Sequence, residues 1–204
     1  MMMSPGLLIV ISGPSGVGKN TVIDNLFNRK PDLRYSVSAT TRAPRPNEID
    51  GQHYFFLTET EFQNQIDAGD FLEWARVYGH YYGTPKQYVE QLLASGHDVI
   101  LDIEVQGAVQ IKRSLPEAVL IFLAPPSLTE LKKRLTGRNT EQEMELSKRL
   151  QYIETEFQST PQYDYLILNQ EICLTCEQIE CIIQAEKCRV NRQDRNLLNK
   201  ILNS

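Results

Sequence analysis

Long apolar runs are missing from this 204-residue chain. No stretch approaches the roughly 20 residues that a bilayer-crossing helix needs, which excludes a helical membrane protein. Residues 1–11 also lack a basic start, an extended apolar core and a small-residue cleavage site, so a secretory signal is not expected. Positive charge is scarce. The 21 Lys and Arg stand against 26 Asp and Glu, a net charge of −5, which argues against general nucleic-acid binding and leaves room only for a local basic cleft. There are three histidines, His53, His80 and His97, and all lie upstream of the four cysteines, Cys173, Cys176, Cys181 and Cys188. The Cys173-x-x-Cys176 spacing suggests zinc or redox chemistry, but the later cysteines add no paired ligand spacing. Reduced, partly buried thiols on one helix are therefore expected. No internal repeat or low-complexity tract occurs. These absences leave a cytoplasmic enzyme or binding module with no membrane partner and one substantial core.

What is present is a rhythm of short apolar runs alternating with helical patterns. Leu7 to Ser12 is a continuous branched run, suited to a buried parallel strand. Further strands are expected at Asp98 to Val105, Ala118 to Ala124 and Tyr163 to Asn169. Helices are expected from Lys19 to about Asn28, over Gly107–Ser114, over Leu128–Leu135 with Ser127 as N-cap, over Glu141–Glu156, and from about Cys176 to Arg189 with an extension towards Leu202. Such alternation implies an α/β fold, a parallel sheet covered on both faces by helices. Residues 34–90 break the rhythm with Pro- and Gly-rich turns, two helical patches and a short aromatic strand. They read as a small inserted α+β unit rather than an independent domain.

After the first strand comes "GPSGVGKN". Gly13, Gly18 and Lys19 meet the phosphate-loop pattern G-x-x-x-x-G-K-[ST], but Asn20 stands where a hydroxyl belongs. Glycines let backbone N–H groups converge on an anion, the following helix adds its positive end, and the lysine supplies a mobile ammonium. The strand–loop–helix context supports nucleotide phosphate binding by Gly13, Pro14, Ser15, Gly16, Val17, Gly18, Lys19, Asn20 and Thr21. Downstream, "SVSATTRAPRP" sets Arg42 and Arg45 close together, and planar guanidinium groups grip phosphate bidentately. Tyr54, Tyr81 and Tyr82 recur nearby.

The segments "SGPSGVGK", "SVSATTRAPRP", "GQHYFF", "FLEWARVYGHYYGT", "LDIEVQG", "APPS" and "RLTGRNTE" together resemble the guanylate kinase family, in the family's order and over residues 7–169. The resemblance implies transfer of the ATP γ-phosphoryl group to GMP with Mg²⁺, and three parts within a single domain spanning 1–204. The core would comprise 1–33, 91–135 and 157–204, the GMP-binding region 34–90 and a short helical lid 136–156. It further implies that Ser38 and Glu73 contact the guanine base. Arg42, Arg45, Tyr54 and Tyr82 would hold the GMP phosphate with Thr84 beside them, and Asn169 would lie near the ATP adenine. Arg134, Arg138 and Arg149 would close on the transferred group.

The acidic pair of "LDIEVQG" maps to Asp102 and Glu104, where many relatives carry aspartate at the second position. Asp102 either holds Mg²⁺ or one of its waters, or orders loop amides. Guanine offers N1–H and N2–H₂ donors that a carboxylate such as Glu73 or Glu104 accepts, whereas adenine offers neither, so a buried carboxylate discriminates. Glu73 on the surface and Glu104 as a helix cap are the alternatives. At the level of function, the alternatives to an active kinase for GMP are a non-catalytic interaction module and a kinase for another nucleotide.

Overall fold

The computed structural model describes residues 5–77, 79–136, 153–193 and 202, with side chains as far as 133 in the second of these stretches. Its first strand, β1 (Leu8–Ser12), is wholly buried. It alternates its side chains between two cores, as the two-residue period of a strand dictates. Ile9 and Ile11 face one layer with Val22, Ile23 and Leu26 of α1 (Lys19–Arg29) and Cys176, Ile179 and Ile183 of the last long helix. Leu8 and Val10 face the other layer with Val89, Ala108 and Ile111. Both faces of the sheet are thereby covered.

That sheet holds five parallel strands, adding β2 (Arg34–Tyr35), β7 (Val99–Asp102), β8 (Val119–Ala124) and β9 (Tyr165–Leu168) in the order β2-β7-β1-β8-β9. From β1 the chain winds outwards to β2 and back to β7, then crosses to β8. The crevice at the carboxyl end of β1 is therefore the switch point where open α/β sheets bind ligands. A second sheet, β4-β3-β6-β5, is built from β3 (Ala39–Thr40), β4 (Phe55–Phe56) and the antiparallel hairpin of β5 (Phe71–Val77) and β6 (His80–Pro85). Helix α2 (Glu59–Ala68) covers it through Phe62, which stacks on Phe71 and Tyr81, and it starts on a Thr58–Glu61 capping box. Helix α3 (Lys86–Ala94) returns the chain to the first sheet.

Several boundaries differ from the sequence expectation. Arg34 and Tyr35 pair with β7 and so belong to the core sheet, and the inserted sheet begins only at Ala39. The expected strand from Asp98 to Val105 stops at Asp102, because Val105 opens α4 (Val105–Ser114) and packs as a helical residue against Phe122 and Phe157. One aromatic strand becomes two, since "HYYGTP" pairs along β5 despite its glycine and proline. Helix α5 (Leu128–Thr136) follows Ser127, whose Oγ accepts the Glu130 N–H at 3.1 Å. Helix α6 (Ile172–Lys187) begins a turn earlier than its buried face suggested, because Ile172 and Leu174 of that turn are exposed. Of the helix expected over Glu141–Glu156, residues 153–156 are helical, in a stretch that runs on to 158, and 141–152 lie outside the described residues.

Candidate active site

At the end of β1 the backbone reverses into α1 through Gly13, Gly16 and Gly18, all at positive φ. Gly13 lies so close to β8 that an added Cβ would stand 2.2 Å from the Leu123 carbonyl oxygen, which leaves glycine as the only fit. Within the loop the Lys19 ammonium donates to the Gly13 carbonyl at 2.9 Å and lies 4.0 Å from Asp102 Oδ1. Asp102 is brought there by register, since it pairs with Ile11 at the ends of adjacent strands. Burial works against the Lys19 charge, but Asp102, then Glu104 and Glu156, outweigh it and raise its pKa. The same burial pushes the Asp102 carboxyl up to about 6, with Lys19 acting to lower it. Asp102 Oδ1 is buried and has no hydrogen-bond partner among the described residues.

The loop opens into a cleft of about 600 Å³. Its walls bring together Pro14 to Thr21 from the loop and the start of α1, Ser38, Arg42, Arg45, Tyr54, Glu73 and Tyr82 from the second sheet and its connections, and Asp102 and Glu104 from the end of β7. Elements far apart in the chain thus face one another across a space of nucleotide size.

On the second-sheet wall, Glu48 organises the cationic turn. Its Oε1 accepts from Arg42 Nη2 at 2.9 Å and its Oε2 from the Arg45 backbone N–H at 2.7 Å. Burial favours the neutral acid, yet the Arg42 bond and the Arg45 N–H prevail and hold Glu48 below the usual carboxylate range. The Arg42 guanidinium lies over Tyr54 at 5.5 Å and Phe56 at 5.9 Å, and the Tyr54 ring meets Tyr82 edge-on at 6.0 Å. Deeper in, Glu73 is 5% exposed and accepts the Thr84 hydroxyl on Oε1 at 2.6 Å. Burial pushes its carboxyl up to about 7, against the hydroxyl and backbone bonds from Thr84 that favour the anion. Glu104 stands at the N-cap position of α4 without a side-chain capping bond, so its carboxylate is not used as a cap.

Among the expected residues whose side chains are described, three do not line the cleft. Gly13 contributes its carbonyl to Lys19 from behind. Thr84 is fully buried beneath Glu73. Asn169, expected beside an adenine, is also buried; its Nδ2 donates to the Val17 carbonyl at 2.8 Å and its Oδ1 accepts the Thr175 hydroxyl at 3.1 Å. Its amide, in the turn between β9 and α6, braces the glycine loop. Arg134 lies on α5, while Arg138 and Arg149 fall outside the described residues.

Sequence reasoning missed Glu48, Thr175, Gln110 and Glu156. Glu156 lines a second cleft of about 370 Å³, which shares Val77 and Glu104 with the first. Burial and Glu104 push its carboxyl up to about 7 while Lys19 pulls against them. The available signals were weak, an acid three residues after Arg45 and one carboxylate among several in a strongly charged helical pattern. The cysteines divide by helix face. Cys176 is buried with Sγ 3.6 Å from the Val22 carbonyl, whereas Cys173, Cys181 and Cys188 are exposed.

Comparison with known proteins gives a consistent likeness. The family model described as guanylate kinase matches residues 6–186. Guanylate kinase of Desulfitobacterium hafniense is 50% identical over 193 residues, covering 95% of this chain and 96% of the relative. That of Clostridioides difficile is 46% identical over 200 residues, 98% of each. The crystal structure of guanylate kinase from Anaplasma phagocytophilum superposes with a TM-score of 0.82 at 33% identity, over 100% of this chain and 97% of that one.

Proposed function

The chain belongs to the guanylate kinase family, and from that premise we propose how its cleft performs the reaction, transfer of the γ-phosphoryl group of ATP to GMP to give ADP and GDP. The observation that carries the proposal is the single cleft in which Lys19 and the glycine loop face Arg42, Arg45, Tyr54, Tyr82 and Glu73. One wall suits a polyphosphate and the other a nucleoside monophosphate. In-line transfer needs both held in one space.

The loop N–H groups and Lys19 receive the ATP phosphates. Lys19 keeps its proton because Asp102 and its acidic neighbours favour the ammonium, so it meets the developing negative charge as a cation. Arg42 and Arg45 grip the GMP phosphate, Arg42 being pre-aimed by Glu48 and by the Tyr54 face. The guanine edge reaches Ser38 and Glu73. A GMP phosphate oxygen is already anionic near neutrality, so no general base is required. The protein's task is alignment and offset of repulsion between two polyanions.

The chemistry of the donor set fits Mg²⁺. Asp102 offers a buried carboxylate oxygen with no hydrogen-bond partner among the described residues, and Mg²⁺ is commonly held by one or two carboxylates together with substrate phosphates. Asp102 would hold the ion, which would supply neutralisation of phosphate charge. Asn20, exposed at the first turn of α1, can offer its side-chain oxygen to an ion-bound water in place of the hydroxyl.

In this reading the second sheet and its helices, within 34–90, form the GMP-binding region and 136–156 the lid. Arg134, Arg138 and Arg149 then join the site as the lid closes and excludes water. The reading also carries a cytoplasmic location and no nucleic-acid or membrane partner; among the described residues no helix is long and apolar enough to cross a membrane. Coupled assays with ATP and each of GMP, AMP, CMP and UMP test it. Turnover with GMP well above the others is expected. Turnover with none of them would leave a binding module, and preference for AMP would remove the guanine assignment.

A further inference from the structure

Helix α4 directs one face at the strand that carries Glu73. Glu104, Gly107 and Gln110 follow one another at three-residue steps, which keeps them on neighbouring turns of the same side. Glu104 lines the main cleft. At Gly107 the fit is so close that an added Cβ would stand 2.1 Å from Glu73 Oε2 and 2.8 Å from its Cδ. The carboxylate is therefore enclosed from two sides. Thr84 of β6 donates to Oε1, and the bare backbone of α4 lies against Oε2.

Gln110 completes the contact one turn further on. Strand β5 is an edge of the second sheet, so one side of its backbone lacks a neighbouring strand. There the Gln110 side chain donates from Nε2 to the Trp74 carbonyl at 2.7 Å and accepts the Trp74 N–H on Oε1 at 3.4 Å. A single amide takes both backbone groups of the residue that follows Glu73, much as a neighbouring strand would. The peptide carrying Glu73 is thereby tied to the helix that shapes the seat of its carboxylate.

We propose that Gly107 and Gln110 are positioning residues that set where the Glu73 carboxylate stands, and through it the selection of guanine over adenine. The inference rests on Glu73 being the acceptor for the guanine edge. Gly107 is there for space rather than for backbone conformation, since it lies in the first turn of a helix and has no positive φ. The three atoms nearest to a methyl group at this position all belong to the Glu73 side chain, and the two within 3 Å are at its far end. The carboxylate yields, leaving the Thr84 hydroxyl or the guanine edge, and α4 itself keeps a better helix former than glycine.

The test is steady-state kinetics on Gly107→Ala, Gln110→Met, Glu73→Gln and the Gly107→Ala/Glu73→Gln double variant, with thermal melts of each. Gly107→Ala is expected to melt no lower than the parent, to raise the KM for GMP about tenfold, to leave the KM for ATP within about twofold, and to lower the preference for GMP over AMP by about tenfold. Gln110→Met is expected to raise the KM for GMP about threefold, again without effect on ATP. In the Glu73→Gln background the alanine is expected to add less than about twofold, because both changes act on one group. A normal KM for GMP in Gly107→Ala, or an equal loss with and without Glu73, overturns the inference while leaving the acceptor role of Glu73 intact. If Glu73→Gln itself leaves GMP use unchanged, the acceptor reading falls and the inference falls with it.

Discussion

Lys19 and Glu73 are ionisable groups held in opposite states by their surroundings. The lysine is desolvated yet stays charged, because three carboxylates lie in its field. Its replacement by methionine keeps the length and removes the charge. We expect Lys19→Met to lower kcat at least about 100-fold, roughly 3 kcal/mol of transition-state stabilisation, with an unchanged circular-dichroism spectrum as the check on folding. Glu73 is an acid whose burial moves its pKa to about 7. As pH falls through 7 it gains a proton, and one of the two oxygens that the proposed reading assigns to the guanine donors turns from acceptor to donor. The KM for GMP should therefore rise on acidification. GMP has a titrating phosphate of its own, so the decisive comparison is with Glu73→Gln, in which the component near pH 7 should be missing.

Among the elements, the phosphate loop depends on a partner distant in sequence. Asn169, after β9, and Thr175, in α6, form a buried relay onto the Val17 carbonyl. Asn169→Ala removes this strut and leaves the Thr175 hydroxyl without that acceptor, at a cost of about 1–3 kcal/mol. We expect a lowered melting temperature and a raised KM for ATP, with the KM for GMP nearly unchanged. Elements of this kind show where sequence reading succeeds. The phosphate loop, β1 and β8 were legible because an unbroken apolar run and a glycine pattern are local signals. The placement of the Arg42 turn on the cleft was legible because two close arginines are a local signal. The bracing role of Asn169 was not, since it arises from a contact across more than 150 residues of chain. Nor was the start of α6, whose first turn exposes Ile172 and Leu174 and so breaks the apolar pattern.

At the scale of the whole molecule, the two sheets of the described residues meet around the main cleft, and α4 connects them by packing on the first and gripping β5 of the second. This arrangement couples folding to protonation. The pKa of Glu73 in the folded chain lies above its unfolded value, so its contribution to stability is present in full below about pH 4.5 and is lost as pH rises through 7. At pH 8 the loss is on the order of 3 kcal/mol, and Glu73→Gln should recover much of it in denaturant unfolding at pH 8 while changing little at pH 5. A calorimeter would register the same carboxyl from outside. Near neutrality the raised carboxyl is partly protonated in the empty molecule, and on the proposed reading the guanine donors displace that proton. The heat of GMP binding should therefore vary with the ionisation enthalpy of the buffer, with a slope that counts the protons released, and that slope should vanish in Glu73→Gln.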